Sequence, residues 1–386
     1  MKATNALLSA SGTTIFEAMS ALARAHAAVN LGQGFPDDPG PRALRDAAAA
    51  YVVDGHNQYP PMMGLPALRQ AVAAHDRRFY GLDVDWQTEV LVTSGATEAL
   101  FDCFLGLCEP GDEAVILEPA YDTYAPVLRR LGVTPRAVRL TPPDWTLPRA
   151  ELAAAFTPRT KLLLLNSPMN PAAKVFTVEE LTFLAELVIA HDAYAVCDEV
   201  YEHLVFGAAR HVPMMTLPGM RDRTARIGSA GKTFSITGWK VGYVTAPAAM
   251  LRPITKAHQF VTFTTPPNLQ HAVALGLAQD DAYFTGLGAG LVRSRDRLAA
   301  GLAALGVPIL PCEGTYFLVA DMARWLRPDE DDLGFCQRLV VEAGVVLIPM
   351  SAFYERGAPR GLVRFCFSKL DATIDLALAR LATWIR

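Results

Sequence analysis

The stretch EVLVTSGATEALFDCFLGLC, residues 89–108, joins a short apolar run to a longer helical pattern. The run EVLVTSG has the length of a buried strand, and the pattern TEALFDCFLGLC follows it without a linker. Apolar runs that alternate with helices favour a mostly parallel sheet covered by helices on both faces. We therefore predict that a doubly wound α/β unit begins near residue 89.

The same alternation continues to residue 247. Five further strand-like runs follow: EAVILEPAY (113–121), KLLLLNSP (161–168), AYAVCDEVY (193–201), ARIGSAGK (225–232) and KVGYVTAP (240–247). The helical pattern TVEELTFLAELVIAHD precedes AYAVCDEVY, and it begins with Thr177 and Glu180 at the spacing of a capping box. We assign residues 45–280 to one large α/β domain.

The pattern changes after residue 280. A long helical pattern containing LVRSRDRLAAGLAALG leads to three strand-like segments and a final helix, so residues 281–386 are predicted to form a small α+β domain. Residues 1–44 are too short and too rich in turn residues to fold alone. We expect them to form an N-terminal arm that packs on the C-terminal part and belongs in part to the small domain.

Composition excludes several classes of partner. With 51% hydrophobic and 19% charged residues, the 386-residue chain is predicted to be compact and globular. Its net charge of −4 gives no reason to expect nucleic acid or an anionic membrane as partner. No segment has the apolar length of a signal peptide or a membrane span. The six cysteines and eight histidines lack disulfide or metal-ligand spacing, so we expect no metal and a cytoplasmic location.

Unusual polar residues follow the strand-like runs. In open α/β sheets, ligands bind outside the carboxyl ends of the strands. Five runs end at such residues, which are Ser94 to Thr97, Tyr121, Asn166 to Asn170, Asp198 with Tyr201, and Lys232. We therefore predict that five strands converge on one crevice.

Each type of side chain in this set matches one part of a single cofactor. A lysine whose pKa is lowered by burial can form a Schiff base, which suits Lys232 and an aldehyde. The free backbone N–H groups of Gly95, Ala96 and Thr97 at a helix N-terminus suit a phosphate. The remaining groups are Ser229 and Lys240 for the same phosphate, Asp198 for a ring nitrogen, and Tyr201 and Asn170 for a phenolic oxygen. The cofactor with these parts is pyridoxal 5′-phosphate (PLP).

The chain resembles the fold-type I, class I/II PLP-dependent aminotransferases from Gly12 to its end. It is most similar to the branch with kynurenine and glutamine aminotransferases and bacterial methionine aminotransferases. The motifs that carry the resemblance are VNLGQGFPD (29–37), GHNQYPP (55–61), NSPMNP (166–171), DEVYEH (198–203), SAGKTFSITGWKVGY (229–243), CEGTYF (312–317) and VRFCFSK (363–369). The resemblance implies a large domain with a mostly parallel seven-stranded sheet between helices, and a small α+β domain. It also implies amino transfer from an L-amino acid to a 2-oxo acid by a ping-pong mechanism.

The resemblance implies a role for each matching position. Lys232 corresponds to the lysine that bonds to the cofactor, and Arg364 to the arginine that binds the substrate α-carboxylate beside the backbone of Gly34. The other correspondences are Asp198 on the ring nitrogen, Tyr201 and Asn170 on the ring oxygen, Tyr121 stacked on the ring, Ala96, Thr97, Ser229 and Lys240 on the phosphate, and Ile15, Tyr316, Phe317 and Phe263 around the substrate side chain. Tyr59 is expected to come from the second subunit of a homodimer with shared active sites. The implied donors are methionine, glutamine, aromatic amino acids or kynurenine.

Several alternatives remain open at this stage. The same apparatus can eliminate a β-leaving group, which makes a cysteine-S-conjugate β-lyase the first rival. A regulator with an aminotransferase-like domain is a non-enzymatic rival that predicts an attached DNA-binding segment. Arg364 could be an ordinary edge-strand arginine, and Tyr59 and Phe263 could serve only in packing. Ala173 stands where the family usually has glycine, so a left-handed backbone there would be strained and the loop at Asn170 could turn differently.

Overall fold

The computed structural model describes residues 2–10 and 12–386. The strands are β1 (Val29–Asn30), β2 (Val90–Thr93), β3 (Glu113–Glu118), β4 (Thr134–Arg139), β5 (Thr160–Asn166), β6 (Tyr194–Asp198), β7 (Thr224–Ser229), β8 (Gly242–Thr245), β9 (Phe317–Asp321), β10 (Val345–Val346), β11 (Ile348–Pro349) and β12 (Leu362–Cys366). The helices are α1 (Ala6–Ala10), α2 (Ile15–Ala25), α3 (Arg42–Asp54), α4 (Pro66–Tyr80), α5 (Ala96–Leu107), α6 (Tyr124–Arg130), α7 (Arg149–Ala155), α8 (Val178–Ala190), α9 (Ala230–Thr233), α10 (Ala248–Val261), α11 (Pro267–Leu277), α12 (Asp281–Ala304), α13 (Asp332–Ala343) and α14 (Asp371–Ile385).

Seven strands form the large sheet in the order β2-β8-β7-β6-β5-β3-β4. Only β8 runs antiparallel to its neighbours, so the predicted α/β class with a mostly parallel seven-stranded sheet is confirmed. Strands β2, β3, β7 and β8 are buried along their whole length because helices cover both faces. Each of the six predicted strand-like runs overlaps a strand of this sheet.

The seventh strand, β4, has no counterpart among the six predicted runs. It lies at the edge of the sheet, and most of its residues are partly or fully exposed. Its sequence TPRAVR contains Pro135 and two arginines, which weaken the apolar signal of a strand. Proline and positive charge are tolerated on an edge strand because one side of its backbone needs no partner.

The beginning of α8 forms as its sequence predicts. The Thr177 hydroxyl accepts the backbone N–H of Glu180 at 3.2 Å, and the Glu180 carboxylate accepts the backbone N–H of Thr177 at 2.9 Å. This reciprocal capping box satisfies two N–H groups that the first helical turn leaves free. It sets the beginning of the helix that connects β5 to β6.

Two smaller sheets lie in the C-terminal part of the chain. Strands β11, β12 and β9 form an antiparallel sheet with β12 in the middle. Strand β1 from the N-terminal arm pairs in parallel with β10, Val29 opposite Val345. The arm therefore adds a strand to the C-terminal part, while the exact division at residues 44 and 280 stays a prediction.

Several residues expected at the site lie at or just after the carboxyl ends of strands in the large sheet. Strand β6 ends at Asp198, and β7 ends at Ser229 one turn before Lys232 on α9. Strand β2 ends immediately before the loop that starts α5.

Among residues 2–10 and 12–386, no helix combines the length and apolar character needed to cross a membrane.

Candidate functional site

A cavity of about 220 Å³ lies at the carboxyl ends of these strands. Ten residues expected at the site line it together, and they are Gly95, Ala96, Thr97, Tyr121, Asn170, Asp198, Tyr201, Ser229, Lys232 and Lys240. The predicted convergence of strand ends therefore exists in the folded chain. Asn166, expected at the crevice without a specific role, also lines the cavity, and so does Tyr124, which was not anticipated from the sequence.

Lys232 lies in an environment that weakens its hold on a proton. Burial lowers the pKa of its ammonium group to about 8, against the opposing effect of the Asp198 carboxylate. Its Nζ donates a hydrogen bond to the Tyr316 hydroxyl at 3.1 Å, and that hydroxyl donates to the Gly34 carbonyl at 2.8 Å. An amine with this pKa is partly neutral near pH 7 to 8, and only the neutral amine is a nucleophile or a base.

Asp198 has one satisfied oxygen and one unsatisfied oxygen. Its Oδ2 accepts a hydrogen bond of 2.6 Å from the Tyr124 hydroxyl. Its Oδ1 is buried and has no hydrogen-bond partner among the described residues. Burial raises the pKa of this carboxyl group above its usual value. A buried acceptor without a hydrogen-bond partner destabilises the protein. A ligand whose N–H group donates to Oδ1 would remove most of that desolvation penalty.

Tyr124 was missed because its sequence signal is slight. It lies three residues after Tyr121, in the first turn of α6, and a buried tyrosine in a helix ordinarily means packing. Only the fold shows that this helix follows β3 and points the hydroxyl at the end of β6. The distance along the chain between Tyr124 and Asp198 hides the pair from sequence reasoning.

The beginning of α5 forms a positive cradle. Gly95 has φ +84° and precedes a twelve-residue helix whose first turn receives no side-chain cap from the residues that the structure describes. A Cβ added at Gly95 would lie 3.3 Å from the Lys240 Nζ, so the ammonium group lies directly against this backbone. Free N–H groups, the helix dipole and an ammonium charge together bind an anion such as a phosphate.

Arg364 lies on β12, the middle strand of its sheet, so the edge-strand alternative is wrong. The residue is 1% exposed, and its guanidinium donates to the Asn170 side-chain oxygen at 2.7 Å and to the Gly32 carbonyl at 2.8 Å. Its Nε is buried without a partner among the described residues, and burial lowers the pKa of the guanidinium to about 10. The group keeps its charge and retains an unused donor beside the cavity residue Asn170.

Aromatic rings surround the Arg364 guanidinium. Its central carbon lies 3.9 Å from the ring centre of Phe317, 5.2 Å from that of Phe16 and 5.1 Å from that of Phe353. A Cβ at Gly34 would lie 2.9 Å from the Phe317 ring, so the absence of a side chain there allows the close approach. Cation–π contacts hold the planar group in one orientation.

Ala173, which stands where the family usually has glycine, adopts a left-handed backbone conformation with φ +58°. Its N–H donates to the Met169 carbonyl, and its own carbonyl accepts the N–H groups of Glu313 and Gly314. These backbone bonds hold the conformation although alanine disfavours it. Asn170 still lines the cavity, so the replacement of glycine leaves that side chain in place.

Seven expected site residues are not among those that line this cavity, and they are Tyr59, Ile15, Gly34, Phe263, Tyr316, Phe317 and Arg364. Tyr59 is 82% exposed and packs edge-to-face on Phe263, with ring centres 5.7 Å apart. Ile15 begins α2 and is half-buried against the core. The expectation that Tyr59 acts in a second subunit stays a prediction.

A second cavity of about 660 Å³ adjoins the first through Lys232 and was not anticipated from the sequence. Tyr316 lines it too, together with Lys369 and the exposed Arg293 of α12. The Lys369 ammonium is already bound by the Phe35 carbonyl at 2.9 Å and by the Asp37 carboxylate at 3.2 Å. Arg293 therefore supplies a cationic group along this opening.

Among protein families, residues 27–381 match the family aminotransferase class I and II. Two relatives are a probable N-succinyldiaminopimelate aminotransferase of Mycobacterium tuberculosis, 45% identical over 96% of both chains, and the methionine aminotransferase of Escherichia coli, 41% identical over 96% of this chain and 95% of its own. Kynurenine–oxoglutarate transaminase 1 of Rattus norvegicus is 38% identical, over 94% of this chain and 93% of its own.

Solved structures agree with these sequences. The N-succinyldiaminopimelate aminotransferase of Mycobacterium tuberculosis superposes with a TM-score of 0.96 at 44% identity, over 99% of this chain and all of that one. The Escherichia coli structure with a methionine aminotransferase function gives 0.95 at 40% identity over the same shares. The similarity in sequence and in backbone thus extends over nearly the whole chain.

Proposed function

Because the chain belongs to the class I and II aminotransferases, which depend on PLP, we propose that it transfers the amino group of an L-amino acid to a 2-oxo acid by a ping-pong mechanism. The observation that carries the proposal is the lowered pKa of Lys232 beside the unpartnered Oδ1 of Asp198 in one cavity. These two groups suit the aldehyde and the ring nitrogen of PLP.

The residues of the cavity fit this cofactor. The cradle at Gly95 and Lys240 would hold its phosphate, since Gly95 has the φ of +84° that favours glycine and the Lys240 ammonium lies against its backbone. Tyr201 and Asn170 line the cavity and would bind the ring oxygen, while Tyr121 would stack on the ring. Bound PLP supplies an electron sink that stabilises negative charge at the substrate Cα.

Three groups of the chain would do the remaining work. Lys232 would take the proton from the substrate Cα, because its pKa of about 8 leaves a usable fraction of neutral amine. The Tyr316 hydroxyl would hold this amine in position between reaction steps through its 3.1 Å hydrogen bond. Arg364 would bind the substrate α-carboxylate with its unused donor and its charge.

We propose methionine, aromatic amino acids, kynurenine or glutamine as donors. The support is the mostly apolar surround of Arg364, formed by Phe16, Phe317 and Phe353, and the relatives that act on methionine and kynurenine. Apolar pockets discriminate weakly, by about 1–3 kcal/mol per methylene, so several of these donors are expected to react.

N-succinyldiaminopimelate is a second candidate donor. It is supported by the 45% identical relative that carries this name and by Arg293, which lines the second cavity together with Lys232, Asp38 and Asp371. A distal carboxylate of that donor would gain a charge-assisted hydrogen bond from Arg293. Arg293→Ala should then weaken this donor selectively and leave the kinetics of methionine nearly unchanged.

The test of the function is the absorption spectrum of the purified holoenzyme. L-Methionine alone should convert the cofactor to its amino form and bleach the visible band, and a 2-oxo acid should restore it. Donors are then ranked by the rate of bleaching. Pyruvate and thiol from a cysteine conjugate, without formation of the corresponding oxo acid, would instead indicate a β-lyase, which the names of the relatives do not favour.

We predict that Tyr124→Phe weakens PLP binding about 10–100-fold, because a hydrogen bond to a charged group contributes about 1.5–3 kcal/mol. The lost bond stabilises the ionised Asp198, so its removal raises the pKa of that carboxyl further, and the weakening should be largest at acidic pH. PLP titration of the apoenzyme across pH measures both effects. Tyr354→Phe is the matched control, since the Tyr354 hydroxyl has no hydrogen-bond partner in the described part of the chain. Equal weakening in both variants would contradict the prediction.

We further propose that the protein is a homodimer with shared active sites. Tyr59 and Phe260 are each 82% exposed and Val53 is 80% exposed, and Tyr59 packs on the exposed Phe263, so adjoining apolar side chains are open to a partner. Sedimentation of the holoenzyme tests the dimer itself. A monomer at micromolar concentration would contradict it.

A complementation experiment tests the contribution of Tyr59 across the interface. Lys232→Ala and Tyr59→Ala chains are unfolded and refolded together in equal amounts. If Tyr59 acts in the partner's site, each mixed dimer has one site with both native residues, and activity should recover to about a quarter of wild type. Activity no higher than that of the separately refolded variants would show that Tyr59 acts within its own subunit or not at all.

A further inference from the structure

Three buried side chains outside the cofactor cavity each offer a metal-ligating atom to one point. Glu98 and Asp102 lie on α5 and His258 lies on α10, and their ligand atoms are all within 4.8 Å of one another. We propose that Glu98, Asp102 and His258 bind a divalent transition-metal cation such as Zn²⁺ or Mn²⁺. The cation would join α5 to α10.

The distances suit a cation. His258 Nδ1 lies 2.9 Å from a Glu98 oxygen and 3.7 Å from Asp102 Oδ2. Adjacent ligands of a metal with bonds of about 2.1 Å are roughly 3.0–3.4 Å apart, between these two values. Glu98 and Asp102 are four residues apart, so they lie on one face of α5. The third distance, between the ligand oxygens of Glu98 and Asp102, is within 4.8 Å.

The orientation of His258 also suits a ligand. Its Nε2 lies 3.0 Å from the Met62 carbonyl, which can only accept a hydrogen bond, so Nε2 carries a hydrogen. Nδ1 then faces the two carboxylates. Metal-bound histidines almost always donate their other N–H to a carbonyl or a carboxylate in this way. The Met62 carbonyl therefore fixes the ring with Nδ1 directed at the proposed cation.

The charge of the site needs compensation that the chain supplies only in part. His258 is the only cation-forming side chain found within 4.0 Å of either carboxylate among the described residues. Asp102 is fully buried, and neither of its oxygens has a hydrogen-bond partner there. A proton on His258 would serve Glu98, but Asp102 would stay a buried carboxyl group without a hydrogen bond from the described residues. A dication would neutralise both carboxylates and satisfy Asp102.

The second cluster of potential metal ligands, His75, Glu202 and His203, does not need a cation to satisfy its polar groups. The two imidazole Nε2 atoms are 2.7 Å apart and form a direct hydrogen bond. Glu202 already accepts the Tyr80 hydroxyl at 2.6 Å and the Arg226 guanidinium at 3.1 Å. A nearby guanidinium also repels a metal ion.

The ligand set limits the kind of cation and its effect. An imidazole with two carboxylates favours a first-row transition dication over Mg²⁺ or Ca²⁺, which prefer oxygen ligands. Glu98 also accepts the backbone N–H of Ser94, the residue before Gly95. The cation would thus hold the first turn of α5, where the proposed phosphate cradle lies, without contacting the reacting atoms.

Elemental analysis of the holoenzyme tests the site. The protein is produced in medium supplemented with Zn²⁺ or Mn²⁺ and washed with a chelator to remove weakly bound metal. We expect roughly one ion per chain, because a fully buried three-ligand site takes up its metal on folding and exchanges it slowly. Asp102→Asn keeps the shape of the side chain but removes a charged ligand, and it should retain less than about a tenth of that amount.

Asp192→Asn is the control, since this surface carboxylate is 94% exposed. It should retain as much metal as wild type. If Asp102→Asn does not fold, X-ray absorption of the wild-type protein decides, and one imidazole with oxygen ligands is the expected shell. Less than about a tenth of an ion per wild-type chain, equal retention in Asp102→Asn, or a sulfur-containing shell would each overturn the proposal.

Discussion

Replacing Lys232 by alanine is expected to lower the turnover of the amino acid donor by at least about 10⁴-fold, because general acid–base catalysis alone contributes about 10²–10⁴-fold and the covalent attachment of PLP is lost as well. In the proposed function no other amine of the cavity can take this role. The Lys240 ammonium lies against the backbone of Gly95, where it would hold the phosphate.

Single-turnover kinetics and the absorption spectrum measure this loss separately. The visible band of lysine-bound PLP should be absent in Lys232→Ala, while the folded protein should still bind PLP without a covalent bond. Lys256→Ala is the control, since Lys256 is an exposed lysine of α10 that contacts Gln259. Turnover of Lys232→Ala within about tenfold of wild type would contradict the proposed role.

The lowered pKa of Lys232 also predicts the pH dependence of cofactor capture. Only the neutral amine attacks the aldehyde, and it prevails above the pKa of about 8. The rate at which the apoenzyme bonds to PLP should therefore rise with pH and level off above about 8. A rate that rises steadily to pH 10 would mean that burial does not lower the pKa of this lysine.

Replacing Arg364 by lysine is expected to lower kcat/KM for the donor by about 10²–10³-fold, chiefly through a higher KM. A guanidinium binds a carboxylate with two parallel charge-assisted hydrogen bonds, each contributing about 1.5–3 kcal/mol, and an ammonium group cannot reproduce that geometry. The substitution also leaves the Asn170 side-chain oxygen or the Gly32 carbonyl without its donor.

A donor without the α-carboxylate distinguishes substrate binding from general damage. Wild type should prefer methionine strongly over the amine that lacks its carboxylate, and Arg364→Lys should lose most of this preference. Arg360→Lys is the matched control, because Arg360 is exposed and its side-chain hydrogen bonds to the described residues all go to backbone carbonyls. If Arg364→Lys keeps the full preference, the carboxylate binds elsewhere.

Local sequence patterns determined much of the architecture. The alternation of apolar runs and helices from residue 89 to residue 247 predicts the α/β class, since a strand buried on both faces must be apolar throughout. The capping box at Thr177 and Glu180 predicts where α8 begins. Lys232, Asp198 and the loop at Gly95 were expected at one crevice because the carboxyl ends of parallel strands meet at the same edge.

Contacts between distant segments were decided only by the tertiary structure. The hydrogen bond between Tyr124 and Asp198 spans 74 residues, and the bond between Lys232 and Tyr316 spans 84. The sequence shows that these residues are present, but it does not determine how far apart they lie in the folded chain. Edge strand β4 escaped prediction because partial exposure permits the polar residues that blur a strand pattern.

The burial of a side chain and its hydrogen-bond partners also depend on the tertiary structure. Asp102 is one acidic residue on a helix in the sequence, and only the packing of the folded chain buries it without a hydrogen-bond partner among residues 2–10 and 12–386. The sequence by itself determined which chemical groups the protein possesses and at which end of the sheet most of them lie. The folded chain determined their pKa values and unfilled hydrogen bonds, because desolvation and pairing depend on neighbours that are distant along the chain.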